Sequence, residues 1–161
     1  MKSSTYLKTQ LVGELLLVAN ATHLVGIYFA NHKHVTKPPG DSKSDPQHPV
    51  LRQASQEIQE YLNGTRTTFS VPISFEGTDF QREIWRQIAL IPFGQTITYS
   101  ELARRANAAK AVRAAGAATG KNPLGIIVPC HRVVGKNGSL TGFAGGLDRK
   151  KSLLGLEEGR D

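Results

Sequence analysis

The chain has 161 residues, 39% of them hydrophobic and 20% charged, which suits one or two small globular domains and excludes a mainly disordered chain. Its 20 Lys and Arg against 13 Asp and Glu leave a formal charge of +7, a surplus that suits nucleic acid or an anionic membrane surface. The single cysteine, Cys130, excludes an internal disulfide framework and any zinc site that needs a second thiolate.

Residues 10–19 and 23–29 read as two strands joined by the turn-like Asn20-Ala21-Thr22. The apolar run 15–19 is too short to cross a bilayer and lacks a basic leader and a small-residue cleavage site. It therefore reads as a strand of a protein in the reduced cytoplasm, with no membrane partner. Residues 37–49, rich in Pro, Ser, Gly and charge, read as an exposed loop. Between residues 50 and 62, Val50, Leu51, Ala54, Ile58, Tyr61 and Leu62 share one helical face, and Asn63-Gly64 ends the helix. The segment up to Ile73 reads as extended. Residues 1–75 are thus expected to form a small α/β domain, a sheet with a helix, that carries no recognisable chemistry.

Residues 76–161 are patterned differently. Thr78 and Gln81 have capping-box spacing ahead of Phe80, Ile84, Trp85 and Ile88 at helical intervals, and Pro92-Phe93-Gly94 breaks that helix. Residues 96–99 read as a short extended piece. Ser100 is expected to cap a helix through Ala106, and a second short helix spans 109–119 and closes at Gly120. Two short helices with a tight connection have the outline of a helix-turn-helix. Beyond them come Asn122-Pro123, the apolar run 125–128, Pro129-Cys130-His131, a Gly-rich loop to Gly146 and a last helix over 148–158.

Cys130 admits two readings: a small buried hydrophobe ending a core strand, or a reactive thiol at that strand's exit, its pKa lowered by His131, Arg132 and Lys136. Adjacent side chains of extended backbone point to opposite faces, so Cys130 and His131 communicate only through a bend or a water. His32 and His34 form a His-x-His pair with no third ligand in view, and no metal site is expected. Residues 109–120 read AKAVRAAGAATG. A helix so poor in long polar side chains suits either tight internal packing or close approach to a minor groove with Arg113 as the protruding wedge. Residues 138–150 combine glycines with Phe143, which suits either a plain loop or a backbone that approaches a ligand, with the ring stacking on a base.

The segment PCHRV, residues 129–133, resembles the active-site motif of the O6-alkylguanine-DNA alkyltransferases, the methylated-DNA–protein-cysteine methyltransferases. The resemblance extends in order through GTDFQREIW from Gly77, FGQTITYSELA, the Ala-rich helix, Lys121-Asn122-Pro123, TGFAGGL and the terminal Leu153-Leu154 helix. It covers nearly all of the second half and is loose in the first.

That resemblance implies an α+β fold in which the small α/β domain precedes a mostly helical domain, residues 76–161, with a helix-turn-helix of the winged-helix type. It implies a single-turnover suicide enzyme without cofactor. The protein would bind double-stranded DNA through the minor groove, flip the lesion out and move the alkyl group of O6-alkylguanine, and that of O4-methylthymine, irreversibly to Cys130. His131, oriented by Glu157, would remove the thiol proton through a water. Asn122 would hold the active-site turn, and Tyr99 would donate a proton to N3 of the departing guanine. Arg113 would fill the gap left by the flipped nucleotide, with Ala111, Gly116 and Ala117 against the groove and Ser100 and Lys136 on phosphates. The carbonyls of Cys130 and Val133, the Ala144 N–H and the Phe143 ring would form the pocket. The protein would be a monomer in solution, and cooperative assembly along DNA is compatible with its small size and charge.

Two departures stand out. Phe143 replaces a tyrosine common in the family, and the cysteines that hold a structural zinc in some relatives do not occur here. Three other activities are weighed against the resemblance. A non-enzymatic lesion sensor would lack the reactive cysteine. A sequence-specific regulator would carry base-reading side chains on its recognition helix. A cysteine hydrolase would need an oxyanion hole, for which the sequence has no signature.

Overall fold

The computed structural model describes residues 1–30, 42–140, 143 and 145–159, which fall into two units, Met1–Phe75 and Glu76–Asp161. In the first, strands β1 (Lys2–Lys8), β2 (Glu14–Ala19) and β3 (Leu24–Phe29) run antiparallel in succession. Strand β4 (Ser42–Ser44) joins β1 in parallel, giving the order β3-β2-β1-β4. The register sets Leu15 between Leu7 and Phe29 and Leu17 opposite Ile27, a continuous apolar row across three strands. Leu16, Val18 and Val25 form a second cluster against which Tyr28 packs. Both faces of β2 are therefore apolar, which is why its Leu-Leu-Leu-Val run does not alternate.

Helix α1 (Pro49–Leu62) packs on β1, β2 and β3 and buries Leu51, Ala54, Ile58 and Tyr61 completely. It starts where His48 accepts the Val50 N–H and Pro49 sets the first turn, and it ends at Asn63. Glu57 points from this helix into the interior and accepts the backbone N–H groups of Ser70 and Val71 at 2.8 and 3.1 Å, tying down the chain that follows.

Several sequence expectations need correction in this unit. The expected strand 10–19 begins only at Glu14, because residues 9–13 close a turn in which Thr9 N–H donates to the Gly13 carbonyl with Gly13 at φ 80°. Strand β1, of sequence KSSTYLK, has too few apolar residues to register in a hydrophobic pattern. Ser42–Ser44 lies in the segment expected to be loop and is strand; residues 37–41 of that segment, like His32 and His34, lie outside the described residues. The extended stretch near Ile73 reduces to one parallel bridge with Leu24.

The second unit contains α2 (Asp79–Ala89), β5 (Ile97–Thr98), α3 (Tyr99–Arg105), α4 (Val112–Gly120), β6 (Val133–Val134) and α5 (Leu147–Glu158). The capping box is formed in full: Gln81 N–H donates to Thr78 Oγ1 at 3.1 Å and Thr78 N–H to Gln81 Oε1 at 3.0 Å. Helix α2 buries Ile84, Trp85 and Ile88, and the Trp85 indole donates to the Ala118 carbonyl at 2.8 Å, joining α2 to α4. Thr98, not Ser100, caps α3: Glu101 N–H donates to its hydroxyl at 3.1 Å, so the helix starts one residue before the expected cap. Helix α4 begins at Val112, three residues later than residue 109, because Ala108 to Ala111 form a turn closed by the Ala111 N–H on the Ala108 carbonyl.

The apolar run 125–128 is not a strand. It forms a turn in which Val128 N–H donates to the Leu124 carbonyl at 2.8 Å, with Ile126 fully buried at φ 78°. A β-branched residue at that φ is strained, and such strain persists only where the surroundings hold it.

Candidate active site

What holds that turn is Asn122. Its Nδ2 donates to the Val128 carbonyl and its Oδ1 accepts the Leu124 N–H, at 2.8 and 2.9 Å, so one buried amide clamps both ends of the strained segment. The Val128 carbonyl also accepts the Cys130 N–H at 2.8 Å. Pro129 then leads into a single 3-10 turn, Cys130–Arg132, and its carbonyl accepts the Arg132 N–H. This bend removes the extended-chain geometry that would have separated Cys130 from His131.

Cys130 is 2% exposed, and the expected lowering of its pKa is overturned: burial pushes the thiol up to about 11. A hydrogen bond from Asn122 and the ammonium of Lys150 oppose that rise without reversing it. At neutral pH the thiol is therefore protonated, and it becomes a nucleophile only if a base takes the proton as it reacts.

The adjacent His131 is fully buried, and its Nε2 lies 2.7 Å from Glu157 Oε2 near the end of α5. The carboxylate accepts a hydrogen bond from Nε2–H, which leaves Nδ1 as the basic nitrogen. Burial lowers the pKa of His131, Glu157 raises it, and Arg132 and Lys150 lower it further; the net direction is downward. Glu157 is held in turn by Arg132, whose Nε and Nη2 donate to it at 2.9 and 2.8 Å, and by the Gly94 N–H at 3.1 Å. Arg132 Nη1 donates to the Ile91 carbonyl at 2.6 Å, and its guanidinium lies 5.7 Å from the centre of the Phe93 ring.

Tyr99 reaches the same region by strand pairing. Parallel pairing of β5 with β6 sets Ile97 beside Val133 and Thr98 beside Val134, and Tyr99 opens α3 immediately afterwards. Lys150 of α5 is fully buried; its Nζ donates to the Val133 carbonyl at 2.6 Å and lies 5.9 Å from the centre of the Tyr99 ring. Gly116 of α4 also faces Tyr99, since a Cβ there would stand 3.8 Å from the ring.

Phe143 is buried, and Ala144 lies outside the described residues. The Cys130 carbonyl accepts the Val133 N–H, and the Val133 carbonyl accepts from the Lys150 ammonium. Arg113 and Ala117 are exposed on α4, with Ala111 and Gly116 half-buried; Ser100 and Lys136 are exposed on other segments. Three groups of this region were not identified from the sequence as site residues: Lys150, the Arg132 side chain as a partner of Glu157, and the Gly94 N–H. Their partners lie 17, 25 and 63 residues away in the chain, so no local pattern could reveal them.

Residues 79–159 match the family model described as 6-O-methylguanine DNA methyltransferase, DNA binding domain, and residues 2–75 the one described as its ribonuclease-like domain. A methylated-DNA–protein-cysteine methyltransferase of Methanosarcina mazei is 42% identical over 144 residues, covering 89% of this chain and 90% of the relative. The inducible methylated-DNA–protein-cysteine methyltransferase of Bacillus subtilis is 54% identical over 108 residues, covering 67% of this chain and 60% of the relative. Among solved structures, Mycobacterium tuberculosis OGT in complex with DNA superimposes with a TM-score of 0.88 at 35% identity, covering 99% of this chain and 93% of that one.

Proposed function

Because the chain belongs to the 6-O-methylguanine DNA methyltransferase family, we propose that it repairs double-stranded DNA by moving the alkyl group of O6-alkylguanine onto Cys130. The observation that carries this assignment to particular residues is a buried thiol, clamped by Asn122, next in the chain to a histidine that a buried carboxylate orients.

In the reaction, the Cys130 proton passes through a water to His131 Nδ1, and the sulfur attacks the alkyl carbon as the bond from that carbon to O6 breaks. The electron pair leaves with the guanine, and Tyr99 supplies a proton to N3 so that the base departs neutral. The product thioether has no good leaving group, so each chain reacts once. The same displacement serves O4-methylthymine.

Double-stranded DNA is the partner, and binding through the minor groove is supported by the exposed surface of α4. Ala114, Ala117 and Gly120 are exposed there beside Arg113, and side chains that small admit a close approach. Arg113 fills the space of the flipped nucleotide. We read α3 and α4 with the β5–β6 pair as a helix-turn-helix of the winged-helix type, with Ala111 and Gly116 lining the groove and Ser100 and Lys136 on phosphates. Val133 and Phe143 border the base. Residues 76–161 then carry binding and chemistry, and residues 1–75 form a separate domain. Among the described residues no helix is long and apolar enough to cross a membrane. The cytoplasm suits a protein whose one cysteine must remain a thiol.

The test is the intact mass of the protein after mixing with a short duplex carrying one O6-methylguanine. A stoichiometric gain of one methylene on Cys130, absent from Cys130→Ala, is expected. Tight binding without a mass gain would instead mark a lesion sensor.

A further inference from the structure

Glu157 serves two side chains at once. Its Oε2 meets His131 Nε2 at 2.7 Å and Arg132 Nη2 at 2.8 Å, and its Oε1 meets Arg132 Nε at 2.9 Å. All three side chains are buried, with exposures of 0, 7 and 2% for His131, Arg132 and Glu157. A lone carboxylate at that distance from an imidazole would favour the imidazolium, which cannot accept a proton. The guanidinium changes this balance, because it pairs with the carboxylate through a two-pronged contact and places a permanent positive charge next to the ring.

We propose that Arg132 is a positioning residue for alkyl transfer: it holds Glu157 as an oriented but charge-balanced acceptor, so that His131 stays neutral with its proton on Nε2 and Nδ1 basic. The contact to the Ile91 carbonyl, at 2.6 Å, and the Phe93 ring under the guanidinium fix Arg132 itself, so the charge does not move with solvent. Among the described residues, the charged and titratable groups that act on His131 are Glu157 and Lys150 from α5 and Arg132 from its own turn. Among the described groups that act on it, Glu157 favours the imidazolium, and Arg132 is a cation in direct contact with that carboxylate. The proposal rests on the reading of His131 as the base in the repair reaction.

The test combines ring nitrogen-15 chemical shifts of His131 with the pH dependence of single-turnover methyl transfer, in wild type, Arg132→Gln and Arg132→Lys. In the wild type the neutral tautomer with hydrogen on Nε2 is expected at pH 7; an imidazolium there would overturn the proposal. In R132Q the charge is gone, and the acidic limb of the rate profile should move up by about one pH unit, a loss of about tenfold in rate at a fixed pH on that limb. R132K keeps the cation, and its limb should stay in place. A rate loss in R132Q that is uniform across pH, with an unmoved limb, would reduce Arg132 to a packing role and overturn the proposal. Should R132Q not fold, the wild-type tautomer and the R132K limb decide, and an R132K limb displaced upward counts against it. A wild type that shows the neutral tautomer but transfers no methyl group overturns the repair reading instead.

Discussion

His131 Nε2 and Glu157 Oε2 stand 2.7 Å apart, 26 residues apart in the chain, with both side chains shut away from solvent. The carboxylate does two separable things: it selects the tautomer of the ring, and it supplies the charge that Arg132 pairs.

Glu157→Gln separates them. The amide oxygen still accepts from the ring, but its NH2 group then faces the Arg132 donors, and the guanidinium is left without its anion. Breaking such a buried pair costs about 3–5 kcal/mol of stability. The ring keeps its acceptor, so the rate should fall by less than the roughly hundredfold or more that misorienting a general base costs. Urea melts and single-turnover transfer at pH 7.5, on protein shown to be folded, measure the two. A rate loss of about a hundredfold or more would show that orienting His131 needs the charge of the carboxylate and not only its oxygen.

The buried thiol ties stability to pH. Cys130 is held at about 11 in the folded chain against an ordinary 9.0, and burial is the cause. Below about 9 neither state ionises it and the pH has no effect. From about 9 to about 11 the unfolded chain gives up the proton first, so stability falls by something on the order of 2–3 kcal/mol across that window. The stability difference between wild type and Cys130→Ala, measured at pH 8 and again at 10.5, should shift against the wild type by about 2 kcal/mol. An unchanged difference would mean that the thiol titrates as it does in water.

Much of this was legible because it is local. The capping box at Thr78 and Gln81, the apolar face of α1 and the stop at Asn63 each depend on residues within one or two turns, and the structure forms all three. The failures share one cause, tertiary context. Residues 125–128 have the make-up of a strand, but Asn122 closes them into a turn through two side-chain bonds that no β-propensity anticipates. Cationic neighbours suggested an acidic thiol, whereas burial outweighs them. The resemblance pointed to Glu157 as the partner of His131 but left Lys150 and Arg132 without roles, since their bonds lie in the packing of α5 against the 130–134 segment.

Gly77 tests the packing of the second unit away from the chemistry. A Cβ there would stand 2.8 Å from Trp85 Cη2 and Cζ3 and 2.8 Å from Gln81 Oε1. The indole cannot readily yield, since it is 2% exposed and its nitrogen is engaged with the Ala118 carbonyl. Gly77→Ala should therefore cost about 1–3 kcal/mol, as overpacking of a filled site does. A thermal melt reads the loss, and the transfer rate of the folded fraction should not change. No loss of stability would show that α2 can shift against α4.

Arg113 separates flipping from chemistry. It is exposed in the first turn of α4, and no described hydrogen bond joins it to the Cys130–His131–Glu157 cluster. Its proposed work is to occupy the gap in the base stack while the lesion sits in the pocket, where unstacking costs a few kcal/mol. Arg113→Ala should therefore slow transfer from duplex DNA by about ten- to a hundredfold, the share of that cost a wedge can offset. The free base O6-methylguanine needs no flipping, and any transfer from it to Cys130 should proceed at the wild-type rate. Equal losses on both substrates would place Arg113 in the pocket rather than in the stack. Equal retention on both would mean that the helix enters the groove without a wedge.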